Sequence, residues 1–150
     1  MERKPDWLPG FPVQIYCNRG DSKMKLNPDC IRDLLMECEE QCTPYQSAAF
    51  TPQEPFVRDG REYSWEETLY HLEQCRMSGF FSGASRDIVD TYRVTDITPK
   101  AHEFLANIRN DNIWKATKGM ASKVGSFSLD ILKSCAATVV SEIIKGHLGV

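Results

Sequence analysis

The sequence lacks the features that mark membrane proteins, secreted proteins and the common enzyme families. No uncharged apolar run approaches the roughly 18 residues that a membrane-spanning helix needs. The first 23 residues carry charges and prolines where a signal peptide has an apolar stretch, so we expect a cytoplasmic protein. No GxSxG, P-loop, HExxH or GxGxxG pattern occurs, so the sequence predicts no catalytic residue and no cofactor, and we expect a non-enzymatic protein.

An excess of basic charge is also absent. The 150 residues suit one domain, and 18 Lys and Arg stand against 21 Asp and Glu, for a net charge of −3. This balance excludes a protein that coats nucleic acid by bulk charge alone. The charge is unevenly distributed, because residues 24–98 carry seven basic and fourteen acidic side chains (−7), whereas residues 99–150 carry seven basic and four acidic ones (+3).

Short CxxC pairs, which often hold zinc, are missing although the chain has six cysteines. Without a secretion signal we expect reduced thiols. Cys38 and Cys42 are four residues apart on one predicted helix, and His71 and Cys75 are four apart on another, which is the right set of ligand types for a zinc site. All three cysteines lie on faces predicted to be core, so we expect no metal.

Local patterns predict an α+β protein with a winged-helix-like core over residues 24–98. Asn27 and Ser64 are N-caps for two helices, and Thr98 followed by Pro99 begins a third. Between the helix capped by Ser64 and the helix that begins at Thr98, alternating apolar residues predict a small antiparallel β-hairpin wing. The predicted order is helix, loop over 43–63 with room for a short strand around Pro55–Arg58, helix near 65–77, two-stranded hairpin, and helix.

Residues 99–150 are predicted to form a long, broken C-terminal helical tail. Apolar residues at heptad-like spacing form a seam, and Gly125 with Ser126 indicates a break before a final helix over 127–145. The seam residues are Ile113, Thr117, Met120, Val124, Phe127 and Ile131. Two interpretations stay open: the tail packs on its own core, or it forms a homodimer through 113–145. The polar strip of the final helix is not basic enough to favour a membrane surface, so no membrane partner is expected.

Residues 1–23 show no amphipathic pattern, because Pro5, Pro9, Gly10 and Pro12 interrupt it. We expect this segment to be a disordered leader, or a mis-assigned stretch upstream of a native start at Met24.

Two stretches, 70–80 and 94–105, resemble the recognition helix and wing of winged-helix proteins. More narrowly, residues 24–145 resemble an uncharacterised family of small bacterial and prophage proteins. The matching motifs are Met24-Lys25-Leu26-Asn27-Pro28-Asp29, Tyr70-His71-Leu72, His102-Glu103-Phe104-Leu105 before Ile108-Arg109, and Lys123-Val124-Gly125-Ser126-Phe127-Ser128-Leu129-Asp130. Cys75 replaces a hydrophobic residue and Ala101 a usual glycine. The resemblance implies a fold, and it implies no activity.

Two functional hypotheses follow. The favoured one is an interaction or adaptor module whose acidic face docks on an unidentified, basic protein partner, because the predicted recognition helix offers carboxylates. The face consists of Asp33, Glu37, Glu40, Glu66, Glu67 and Glu73. The alternative is a small DNA-binding transcriptional regulator that uses wing arginines and tail lysines. Its predicted contacts are Arg76, Arg86, Arg93, Lys115, Lys118 and Lys123.

Overall fold

The computed structural model describes residues 24–149, so the expectations for residues 1–23 concern a segment outside the described residues. The described chain forms five helices and five short strands. In chain order these are α1 (Pro28–Gln41), β1 (Ala48–Phe50), β2 (Phe56–Arg58), β3 (Arg61–Tyr63), α2 (Trp65–Met77), β4 (Phe81–Arg86), β5 (Tyr92–Ile97), α3 (Pro99–Ile108), α4 (Asp111–Val124) and α5 (Leu129–Leu148).

Three of the five helices, α1, α2 and α3, begin where the sequence predicts, whereas α5 begins at Leu129 with Ser128 as its N-cap, two residues after the predicted start. The side chain of Asn27 accepts a hydrogen bond from the backbone N–H of Asp29, and Ser64 accepts one from Glu67. Thr98 accepts from Ala101, with Pro99 at the first helical position. Each cap satisfies an N–H group that the first turn of a helix leaves unpaired.

Two antiparallel sheets complete the α+β fold. β1, β5 and β4 form a three-stranded sheet in that order, with Ala48 and Ala84 both opposite Val94. β2 and β3 form a separate hairpin, whose turn places Gly60 at a φ of +79°, in the left-handed region that glycine adopts without strain.

The α+β class and the long C-terminal helix are confirmed, whereas the winged-helix assignment stays a prediction. A helix-turn-helix unit joins two helices by a turn of three or four residues. Here β1 and the β2–β3 hairpin lie between α1 and α2, where the sequence predicts a loop with one short strand around Pro55–Arg58, and that strand is confirmed as β2.

The predicted seam of the tail is wrong. The tail forms three helices, and Gly125, at a φ of +83°, ends α4 with a left-handed turn so that α4 and α5 pack against each other. A heptad seam needs one continuous helix, which this turn prevents. The buried residues of α4 are therefore Trp114, Thr117 and Ala121, while Val124 is 61% exposed.

α5 packs on the core only over its first half. Leu129, Leu132 and Ala136 join the same buried cluster as the core face of α1. Residues 141–149 are all exposed, including Ile144 and Leu148. A homodimer through 113–145 stays a prediction.

A buried ion pair attaches the β2–β3 hairpin to α1. Asp33 is fully buried, and its two carboxylate oxygens accept hydrogen bonds from Nε and Nη2 of Arg61, both at 2.8 Å. The hydroxyl of Tyr63 donates to the same carboxylate at 2.7 Å. Burial, followed by the neighbouring Asp33, raises the pKa of Tyr63 above its ordinary value, so this hydroxyl stays a donor.

Replacing Arg61 by Met should destabilise the fold, because the Asp33 carboxylate would stay buried without its counter-charge. The expected loss in the free energy of unfolding is about 2 kcal/mol, below that for fully buried pairs because Arg61 itself is partly exposed. Urea unfolding measures it. Arg86→Met, which removes the exposed pair with Asp90, is the matched control and should change the midpoint little. Equal shifts for the two variants would contradict the assigned role of the buried pair.

Candidate functional site

The six acidic residues predicted to form a docking face occupy different environments. Asp33 was predicted as part of this docking face, but it lies in the interior, where Arg61 and Tyr63 satisfy its carboxylate. Arg58 pairs with both Glu37, at 2.9 Å, and Glu40, at 2.6 Å. These contacts neutralise much of the charge that the sequence places on α1.

The acidic residues of α2 are also partly engaged. Glu73 pairs with Arg76 at 2.7 Å, and Arg76 lowers the pKa of the Glu73 carboxyl. Glu67 accepts a hydrogen bond from the side-chain amide of Asn27 at 3.0 Å. Glu66 is exposed and forms no ion pair or side-chain hydrogen bond within residues 24–149.

The six basic residues of the alternative hypothesis divide into two groups. Arg76 and Arg86 form exposed ion pairs with Glu73 and Asp90, and Lys118 pairs with Asp29 at 2.9 Å. Arg93, Lys115 and Lys123 are exposed and have no carboxylate partner among the described residues. The structure thus leaves three of the six cations unpaired.

A cavity of about 260 Å³ opens between α1, the β1–β2 connection and α2. Three aromatic rings from three different elements line it: Phe50 ends β1, Phe56 begins β2 and Trp65 begins α2. Phe50 and Phe56 are in edge-to-face contact, with ring centroids 5.6 Å apart. Phe56 stacks on Tyr63, so the buried Asp33–Arg61–Tyr63 contacts also fix one wall of the cavity.

The polar groups of the cavity are mostly acceptors. Glu37 is 24% exposed and lines the cavity beside Gln41, whose amide donates to the Glu37 carboxylate. Glu54 is exposed at the rim and has no ion pair within the described chain. Thr68 is 1% exposed, and its hydroxyl has no hydrogen-bond partner within residues 24–149. Aromatic faces next to carboxylates suit a cation that carries some apolar surface.

The described residues also match a known family model. A family described as "Hypothetical protein (DUF2513)" matches residues 25–128. The chain belongs to this family. No curated protein and no solved structure matches the chain. The result confirms the uncharacterised family expected from the sequence motifs, while a bacterial or prophage origin stays a prediction.

The DUF2513 segment contains every residue of the aromatic and acidic cavity. It extends from Lys25 to Ser128, the N-cap of α5. It therefore includes all five described strands and the first four described helices. α5 itself follows the matched segment.

The five cysteines among residues 24–149 of this DUF2513 protein, and His71, belong to the core or pack against it. Cys38 and Cys75 are fully buried, and burial raises the pKa of both thiols. Cys42 is half-buried and donates to the backbone oxygen of Val94. Within residues 24–149 no three His, Cys, Asp or Glu side chains are grouped so that they could hold a metal ion.

Sequence reasoning missed most residues of the cavity. Phe50 and Glu54 lie in the segment predicted as a loop, where hydrophobic periodicity gives no signal, and Phe56 lies in the short strand predicted around Pro55–Arg58, which does not by itself indicate a cavity. The Glu54-Pro55-Phe56 tripeptide, in which a proline separates an acidic residue from an aromatic one, is the local feature that could have indicated this cavity. No helix in residues 24–149 has both the length and the apolar character needed to span a bilayer.

Acidification should destabilise the protein through His71, whose ring is neutral in the folded state. The backbone N–H of Asn27 donates to Nε2 at 2.7 Å, and Nδ1 lies 2.7 Å from the backbone oxygen of Glu67. Burial lowers the pKa of His71, so folding favours the neutral ring. Its contribution is complete above the unfolded-state pKa of about 6.5 and is lost as the pH falls from there towards the folded-state pKa.

Urea midpoints measured between about pH 7.5 and about pH 5.5 test this expectation. The midpoint of the native protein should fall with pH, and His71→Gln should flatten that dependence, whereas His147→Gln, which changes an exposed histidine without an ion pair among the described residues, is the control. An identical slope in the His71→Gln variant would contradict the assignment.

Proposed function

We propose that this DUF2513 protein is a non-enzymatic interaction module that binds a basic segment of a partner protein at the aromatic and acidic cavity. The supporting observation is the cavity itself, in which Phe50, Phe56 and Trp65 lie beside Glu37 and the unpaired Glu54. A lysine or arginine side chain has both an apolar stem for such rings and a charge for such carboxylates.

Charge around the cavity supports a basic partner. Two carboxylates line it, those of Glu37 and Glu54, and a third, Glu40, shares the guanidinium of Arg58 with Glu37. Arg58 is 17% exposed in its side chain and already bonds two of these carboxylates, which limits its repulsion of an incoming cation. Complementary charge of this kind raises association rates and selects partners more than it adds affinity.

The cavity also offers a hydrogen-bond acceptor. The buried Thr68 hydroxyl has no partner within residues 24–149, although buried polar groups normally have one. The oxygen is itself buried, so an ammonium or guanidinium group would donate to it once the side chains of the cavity shift enough to expose it. This is a specific feature of the cavity that overall charge does not account for.

The same surface disfavours DNA. The outward side of α2 presents Glu66 and the Glu73–Arg76 pair, and carboxylates repel phosphates. Arg93, Lys115 and Lys123 are fewer than the six to ten cations that phosphate-based binding commonly uses. The geometry therefore favours a protein partner over a DNA-binding regulator.

A labelled octapeptide of alternating arginine and glycine is the probe, with fluorescence anisotropy at low ionic strength as the measurement. Glu54→Lys should weaken binding about tenfold, because it replaces an attractive charge at the rim by a repulsive one. Glu142→Lys makes the same change in net charge on α5, which does not line the cavity, and should weaken binding less than about twofold. Phe56→Leu should weaken it about threefold by removing a ring face.

Equal weakening by Glu54→Lys and Glu142→Lys would show that binding depends on the net charge of the protein alone, and would contradict the proposal. So would absence of binding to the arginine peptide, or equal binding of a glutamate–glycine peptide. In the same assay, saturable binding of a labelled DNA duplex that is lost in the Arg93→Gln, Lys115→Gln, Lys123→Gln triple variant would favour the regulator instead.

A further inference from the structure

A second cavity, of about 370 Å³, lies between α3 and α5 and shares no lining residue with the first. It contains a lysine from each helix, Lys100 near the start of α3 and Lys133 on α5. Both ammonium groups lie over the ring of Phe80, with Nζ 5.9 Å and 5.8 Å from the ring centroid. The fold therefore brings two positive charges to one place.

The two ammonium groups are close enough to repel each other. The neighbouring ammonium group of Lys133 lowers the pKa of Lys100, as expected when one positive charge disfavours a second. Nζ of Lys100 donates to the backbone oxygen of Ser78 at 3.0 Å, and no carboxylate within the described residues lies in ion-pair distance of it. Two neighbouring positive charges without a close counter-charge favour the binding of an anion.

The carboxylates near this pair compensate it weakly. Asp130 lies 3.5 Å from Lys133, but its side chain is 94% exposed, so water screens the interaction. Glu103 lines the cavity and forms an ion pair with neither lysine. The pair thus keeps positive charge available to an anion that can contact both ammonium groups at once.

We propose that this cavity binds a phosphate group, free or carried by a small molecule, which bridges Lys100 and Lys133. Asn107 and Ser134 also line the cavity and supply an amide and a hydroxyl as further donors. A phosphate group carries up to two charges, which suits two lysines, and lysine is a common phosphate-binding residue. The volume exceeds that of one ion, and Phe104 and Ala137 offer apolar surface to the remainder of a phosphorylated molecule.

This site is independent of the proposed protein-binding function. Its residues come from α3 and α5, whereas the first cavity is built from α1, α2 and the strands between them. Failure of the arginine-peptide experiment would leave the phosphate site intact, and the reverse also holds.

Calorimetric titration with inorganic phosphate, and separately with glycerol phosphate, tests the site when chloride holds the ionic strength constant. We expect saturable binding of one phosphate per chain. Tighter binding of glycerol phosphate would identify the phosphate as part of a small molecule, whereas tighter binding of inorganic phosphate would identify the free ion. Heats that never saturate with either probe would overturn the proposal.

Variants link the binding to the lysine pair. Lys100→Met and Lys133→Met should each weaken phosphate binding about tenfold or more, since each removes a charged hydrogen-bond donor. Both should fold, because either substitution relieves the repulsion between the two ammonium groups, and circular dichroism checks this. Lys115→Met, an exposed lysine outside the cavity, is the matched control and should leave binding unchanged.

Glu103→Gln tests the sign of the ligand charge. Removing this carboxylate from the cavity should strengthen phosphate binding about two- to fivefold. Weaker binding in Glu103→Gln, or unchanged binding in both lysine variants, would overturn the proposal.

Discussion

The carboxylate of Asp33 lies in the interior, where a charge is tolerated only when it is paired and hydrogen-bonded. Arg61 and Tyr63 meet both requirements, and both belong to β3. Arg32, the residue that precedes Asp33 in α1, imposes a second constraint. Arg32 is 5% exposed and donates to the backbone oxygens of Ile108 and Arg109 and to Asp111. Because adjacent residues of a helix point about 100° apart, the two charges hold different elements against α1.

The consequence for function is that α1 positions the candidate site indirectly. Asp33 fixes the β2–β3 hairpin, which carries Phe56 and Arg58. Phe56 becomes a wall of the cavity, and Arg58 takes up the charges of Glu37 and Glu40. The acidic surplus of residues 24–98 therefore does not form one uniform face. Arg58 and Arg61 neutralise much of it on α1, and at the rim of the cavity Glu54 remains without an ion pair within the described residues.

The sequence predicted those features that depend on neighbouring residues. The N-caps Asn27, Ser64 and Thr98 are confirmed, because a cap bonds to the backbone two or three residues away. The burial of Asp33 was not predictable, since Arg61 lies 28 residues further along the chain and an acidic residue in an amphipathic helix usually faces water. The seam across Gly125 failed for a related reason: apolar spacing continues through a turn that reverses the chain. The cavity was not predicted because its three aromatic rings belong to three different elements, whose packing local patterns do not indicate.

The two cavities differ in how they relate to the DUF2513 segment. The aromatic and acidic cavity is built wholly within residues 25–128, from elements that α1 holds together. The lysine pair needs α5, which begins at Leu129, because Lys133 supplies half of it. α5 can present that lysine beside Lys100 only because Gly125 turns the chain back onto α3. The same left-handed turn that breaks the predicted seam thus brings the second lysine to the first, so a phosphate site there depends on the packing of the tail, whereas the first cavity depends on the buried charge of α1.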